Sequence, residues 1–101
     1  MISFDICKGN PGALTFLMLA YQKWFIRAEY AFQKMDANNI RGEKLYILWN
    51  DCCGRDVDLA MKVMMNWPID KITERINGEY GRGVPIEQEE LIEEAGREQN
   101  G

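Results

Sequence analysis

Histidine is absent from all 101 positions. That absence excludes every mechanism needing an imidazole: Ser-His-Asp and Cys-His nucleophiles, His-ligated zinc, and haem held through His. Long apolar runs are also missing. The longest, Ala13 to Tyr21, is nine residues including Thr15, too short to span a bilayer. Asp5 precedes Lys8, and Asn10-Pro11-Gly12 interrupts the early apolar pattern, so no signal peptide is expected. The 3 prolines and 9 glycines are scattered, which excludes collagen-like and low-complexity chains. Cysteine is scarce. Cys7, Cys52 and Cys53 form an odd set without disulfide-framework spacing, and adjacent Cys52 and Cys53 are poorly placed to bond each other. The chain reads as reduced and cytoplasmic.

Concentrated positive charge is lacking as well. From Met1 to Gly78 there are 10 Lys+Arg against 9 Asp+Glu; from Glu79 to Gly101 there are 2 against 7. The first part is therefore near neutral, and the overall charge of −4 resides in the tail. No window of eight residues carries more than three Lys/Arg, which argues against nucleic acid as the partner.

What the chain has is enough for one small core. At 47% hydrophobic and 28% charged residues it is an ordinary globular composition and a single domain. Asn10 followed by Pro11 predicts a helix N-cap with proline at the first helical position. From there to Met35 the apolar spacing is helical. The stretch Phe16–Tyr21 is apolar on all sides and predicts a central, buried helix; a break near Gln22–Trp24 is as consistent as one long helix. Asp36-Ala37-Asn38-Asn39 is a turn. Lys44–Trp49 suits a buried helix or a buried strand, and helix is favoured because a lone strand has no partner elsewhere. Gly54 would be a left-handed stop and Asp56 the next cap. Pro68 ends that helix and opens a short one with Ile69, Ile72 and Ile76. Pro85 would start a thin acidic helix, Ile86 to Ala95. A shift of 29 pairs Ala31 with Ala60, Met35 with Met64, Ile40 with Ile69 and Ile47 with Ile76, a weak echo of two stacked helix–turn–helix units.

The expected fold is all-α: a small single-domain bundle of four to six helices packed around Leu17, Tyr21, Phe32, Ile47, Leu48, Leu59, Val63 and Ile72. Residues 1–78 form the helical domain, and 79–101 a glycine-containing loop and acidic tail.

Candidate chemistry is thin. Glu90 with Glu93 or Glu94 would share a helix face, but di-iron bundles also need Glu-x-x-His. The glycines of 78–83 follow a helix rather than a strand, so they read as a connector, not a phosphate cradle. Asp51, Cys52 and Cys53 lack the ligand order of calcium or zinc sites. The Leu59–Ile76 segment has a helix–turn–helix outline, yet its second helix is charge-neutral with two acids. No catalytic, cofactor-binding or metal-ligating residue is expected, and the protein reads as non-enzymatic. Trp24, Trp49 and Trp67 all fall on apolar stripes, where the core is the default; the surplus of three Trp and six Met still suggests an adhesive surface. The expected contact site is Trp49, Asn50, Asp51, Arg55, Tyr80 and Arg82; the rival reading has Asp51 capping or pairing with Arg55 and Tyr80 tucked into the core. An anion in the last turn of a helix opposes the macrodipole, and a glycine loop makes a natural second wall.

The strings Gly9-Asn10-Pro11-Gly12-Ala13-Leu14, Lys44 to Cys53 and Gly81-Arg82-Gly83-Val84-Pro85 together resemble small proteins carried by prophages and integrative elements of gut Firmicutes. The resemblance would cover most of Met1–Glu87. It implies a context, an accessory protein of a mobile element, and carries over no activity, cofactor or catalytic residue. The expected partner is a protein or a second copy of the chain, with no membrane role. The alternatives are a small acidic inhibitor of a host enzyme and a helix–turn–helix regulator.

Overall fold

In the computed structural model, which describes residues 4–79 and 82–91, the fold is all-α. A 3-10 turn, Phe4–Cys7, leads into α1, Pro11–Ala37. Next come α2, Glu43–Ile47, running directly into a π-helical turn, Leu48–Cys52, then α3, Val57–Asn66, and α4, Ile69–Asn77. Residues 88–91 form one further helical turn.

Two caps act as the sequence predicts. Asn10 Oδ1 accepts from Ala13 N at 3.0 Å with Pro11 at the start of α1. Asp56 Oδ1 accepts from Leu59 N at 3.1 Å at the start of α3. Each satisfies a backbone donor that the first turn leaves unpaired, worth about 1 kcal/mol. Gly54 stands at φ 57°, in the left-handed region where glycine carries no Cβ penalty.

α1 spans 27 residues, about 40 Å of helix. It bends at Trp24, whose φ −127° and ψ 26° are not helical, so the break expected at Gln22–Trp24 becomes a kink within one element. Beyond the bend α1 runs in the same sense as α3, tied at both ends. Lys23 Nζ and Trp24 Nε1 donate to Asp58, in the first turn of α3, at 2.7 and 3.0 Å. Lys34 Nζ donates to the carbonyls of Met64 and Trp67 at the other end, at 2.8 and 3.1 Å. Acid at the N-terminus and cation at the C-terminus both complement the dipole of α3. Between these ties Ala28, Ala31 and Ala60 are fully buried, and their small side chains let the two helices approach closely.

The core collects Phe16, Leu17, Phe32 and Met35 from α1, Leu45 and Leu48 from the next segment, Val63, Met64 and Trp67, and Ile72 and Ile76 from α4. Tyr21 and Ile47, expected at its centre, are only partly buried. The expectation that Phe16–Tyr21 is buried all round is corrected: Met18 is 59% exposed and Leu19 40%. Among the described residues the other elements pack on one side of α1 and leave these side chains exposed.

The segment after Gly78 is not a loose connector where it is described. Val84 N donates to Arg75 O at 2.9 Å, Ile86 N donates to Cys52 O at 2.8 Å, and Ile86 is buried. Arg75 also pairs with Glu90 and donates to Pro85 O at 3.1 Å. The helix expected from Ile86 begins instead at residue 88, and Ile86 lies before it with its N–H donating to Cys52 O at 2.8 Å. The expected continuation of that helix from residue 92 to Ala95 lies outside the described residues.

Candidate interaction surface

The uncovered side of α1 carries the largest exposed apolar surface among the described residues. From Pro11 to Gln22 the helix has no charged residue. The buried positions Ala13, Phe16, Leu17 and Ala20 hold one side against the core, and the others follow from helical geometry onto the opposite side. Leu14, Met18 and Leu19 therefore face out, and past the bend so do Phe25, Ile26 and Tyr30, at 66%, 78% and 73% exposure. Thr15, Met18, Leu19, Tyr21 and Gln22 line an open groove on this side. A second depression joins Leu14 to Phe4 and Pro11. Six large apolar side chains of α1 are exposed among the described residues, and large exposed apolar groups gathered on one element mark interaction surfaces. The border is polar: Lys23 is held by Asp58, and the Arg27 guanidinium lies 5.5 Å from the centre of the Trp24 ring.

The site expected from sequence is a different corner. The π turn places Asn50 between its neighbours: its amide donates to Asp51 Oδ1 at 2.7 Å and its Oδ1 accepts from Arg55 Nε at 2.6 Å. The i→i+5 bond from Cys53 N to Leu48 O, at 3.1 Å, widens this turn. Trp49 faces inward at 5% exposure, with its ring stacked on Phe16 at 5.5 Å. Only its neighbour Arg55, 5.7 Å over the ring, faces solvent. Trp49 is thus a core residue, because a flat apolar ring gains more from Phe16 than from water. Gly83 packs on the same turn; a Cβ there would lie 2.7 Å from Cys52 Sγ and 3.0 Å from Asp51 Cβ. That contact brings the chain at Arg82, itself exposed, beside Asp51. Tyr80 lies outside the described residues.

The reactive groups offer little chemistry. Burial and the Asp51 carboxylate push the Cys52 thiol up to about 11, and burial raises Cys7 and Cys53 too. Protonated thiols are poor nucleophiles. Asp58 and Glu90 are committed to Lys23 and Arg75, whose hydrogen bonds hold both carboxyls below their ordinary range. Among the described residues no three His, Cys, Asp or Glu side chains converge on a metal-sized site, and no helix is long and apolar enough to cross a membrane.

α3 and α4 follow one another through Trp67 and Pro68, both in extended backbone, and α4 packs on the Leu48–Cys52 turn and turns its cations away from a reading role. Lys71 Nζ lies 4.3 Å and the Arg75 guanidinium 5.4 Å from the Trp67 ring centre. Asp70 and Glu74 are left on the exposed face, where they would repel phosphate. Compared with protein-family models, curated proteins and solved structures, the chain matches none.

Proposed function

We propose that this protein is a non-catalytic protein-interaction module, a small cytoplasmic accessory protein of a mobile element, which docks through the outer face of α1. The observation that carries the reading is the run of Leu14, Met18, Leu19, Phe25, Ile26 and Tyr30 left exposed on one helix. Interface cores are enriched in aromatic residues and Met and depleted of charge, and this face has that composition. Three free thiols suit a reducing compartment, and the mobile-element setting rests on the resemblance of Gly9–Leu14, Lys44–Cys53 and Gly81–Pro85.

The test is capture of binding partners by the immobilised full chain, with Met18→Glu and Ile26→Glu as face variants and Arg82→Ala as a control elsewhere. A carboxylate buried in an apolar contact without a partner is costly, so both face variants should lose what wild type retains, while Arg82→Ala retains it. Binding through this face should persist in about 0.5 M salt, where contacts between exposed charges are largely screened. Loss of capture in salt, with no effect of the face variants, would point to an electrostatic partner and sink the reading.

A further inference from the structure

Burial divides the sulfur-bearing side chains of the described residues into two groups. Cys7, Cys52, Cys53, Met35, Met61 and Met64 are at most 4% exposed, whereas Met18 is 59% exposed and Met65 41%. Met18 stands within the charge-free stretch of α1 from Pro11 to Gln22, beside Thr15, Leu19 and Tyr21 on the open groove. We infer that Met18 is an oxidation site for peroxides, and that its sulfoxide turns the apolar face of α1 polar. The inference rests on reading that face as the docking surface, and it adds how docking would be regulated.

The reaction needs no activating group. A thioether carries its lone pairs at every pH, so it attacks a peroxide without first losing a proton. The S–O bond forms as the O–O bond breaks, and the leaving hydroxide takes the proton of the transferred oxygen and departs as water. Sulfur gives up two electrons and the peroxide accepts them. Thiols react through the thiolate instead, and here burial both covers Cys7, Cys52 and Cys53 and holds them protonated. Met35, Met61 and Met64 have the same chemistry as Met18 but no access to the oxidant. Met65 has both, yet it belongs to α3 and not to the run of exposed apolar side chains on α1.

Oxidation replaces a flexible apolar group by a polar, chiral one. An apolar partner that covers the sulfoxide strips water from its oxygen, which is costly. The change is reversible: a methionine sulfoxide reductase returns the thioether, with two thiols oxidised to a disulfide and the oxygen released as water.

The test treats the folded full chain with hydrogen peroxide and follows it by peptide mapping and by hydrophobic-interaction chromatography. Met18 should become the sulfoxide about tenfold or more faster than Met35, Met61 and Met64, with the three thiols intact. Oxidised wild type should elute earlier than untreated protein, and a sulfoxide reductase with dithiothreitol should restore the original position. Met18→Leu, which keeps Met1 and Met65, should elute at one position before and after peroxide. Met18 reacting no faster than Met61 and Met64, or Met18→Leu shifting as far as wild type, overturns the inference. Partner capture separates it from the docking reading. If Ile26→Glu retains capture, the docking face fails, while mapping and elution still decide the oxidation site. If Ile26→Glu loses capture and oxidised wild type keeps it, docking stands and the switch is overturned.

Discussion

Trp24 Nε1 donates to Asp58 Oδ1 across 3.0 Å, and Lys23 Nζ reaches the other oxygen of the same carboxylate at 2.7 Å. One acidic side chain in the first turn of α3 thus holds α1 where its backbone leaves the helix. Asp58 ties α3 to the start of the exposed half of α1 beyond Trp24, and Lys34 fastens its other end to Met64 and Trp67.

This tie makes stability pH-dependent on the acid side. Lys23 holds Asp58 below its ordinary 3.8, and Arg75 holds Glu90 below 4.5. A carboxyl whose folded pKa is lower than its unfolded one contributes stability above the unfolded value and loses it as pH falls through the folded one. Tm should therefore hold from about pH 7 to 5 and drop below about pH 4. Asp58→Asn combined with Glu90→Gln should lower Tm at neutral pH and flatten the acid-side fall. An equally steep fall in the double variant would show that other carboxyls carry it.

The cysteines should be silent in the native state. With Cys52 near 11 and Cys7 and Cys53 also raised by burial, little thiolate exists at pH 8 and none of it is accessible. Iodoacetamide at that pH should leave the folded chain unmodified and alkylate all three thiols once urea unfolds it, read by mass spectrometry. Prompt single alkylation at Cys52 would contradict this and mark the π turn as reactive.

What was legible from sequence was local. The caps at Asn10 and Asp56, the stop at Gly54 and the break at Pro68 depend on residues within a turn of one another, and the all-α class follows from helical periodicity. The kink's position was legible but its cause was not, since Asp58 lies 34 residues along the chain from Trp24. The burial of Trp49 was legible from its apolar stripe; that its ring stacks on Phe16, 33 residues away in the chain, was not. The corner of Asn50, Asp51 and Arg55 was found because its members are sequence neighbours. The exposed face of α1 was misread for a physical reason: an all-round apolar helix segment means burial only where other elements pack on every side of it, and periodicity does not say which elements those are.

Gly83→Ala tests whether the segment after Gly78 belongs to the core. An added Cβ would sit 2.7 Å from Cys52 Sγ and 2.8 Å from Ile47 Cγ2, and overpacking of that kind costs about 1–3 kcal/mol. The variant should lose that much stability in urea, whereas Val84→Ala, at an exposed position, should stay within about 0.5 kcal/mol. Equal stabilities would mean the segment lifts away freely.

The Asn50–Asp51–Arg55 corner and the α1 face can be separated by mutation, because Trp49 stacks on Phe16, which lies on the buried side of α1. The corner therefore sits behind the helix that the proposed interface uses. Asp51→Ala deprives the half-buried Asn50 amide of its acceptor, and losing one such bond costs about 0.5–1.5 kcal/mol. Arg82→Ala, at an exposed position, should cost less than about 0.5 kcal/mol. If the corner is scaffold, both variants should keep the wild-type partner capture, with Asp51→Ala showing only the lower urea midpoint. If the corner is instead the docking site, Asp51→Ala with Arg82→Ala should abolish capture while Ile26→Glu leaves it intact, the reverse of the pattern expected from the α1 face. The same three variants, measured for stability and capture together, decide between the two surfaces.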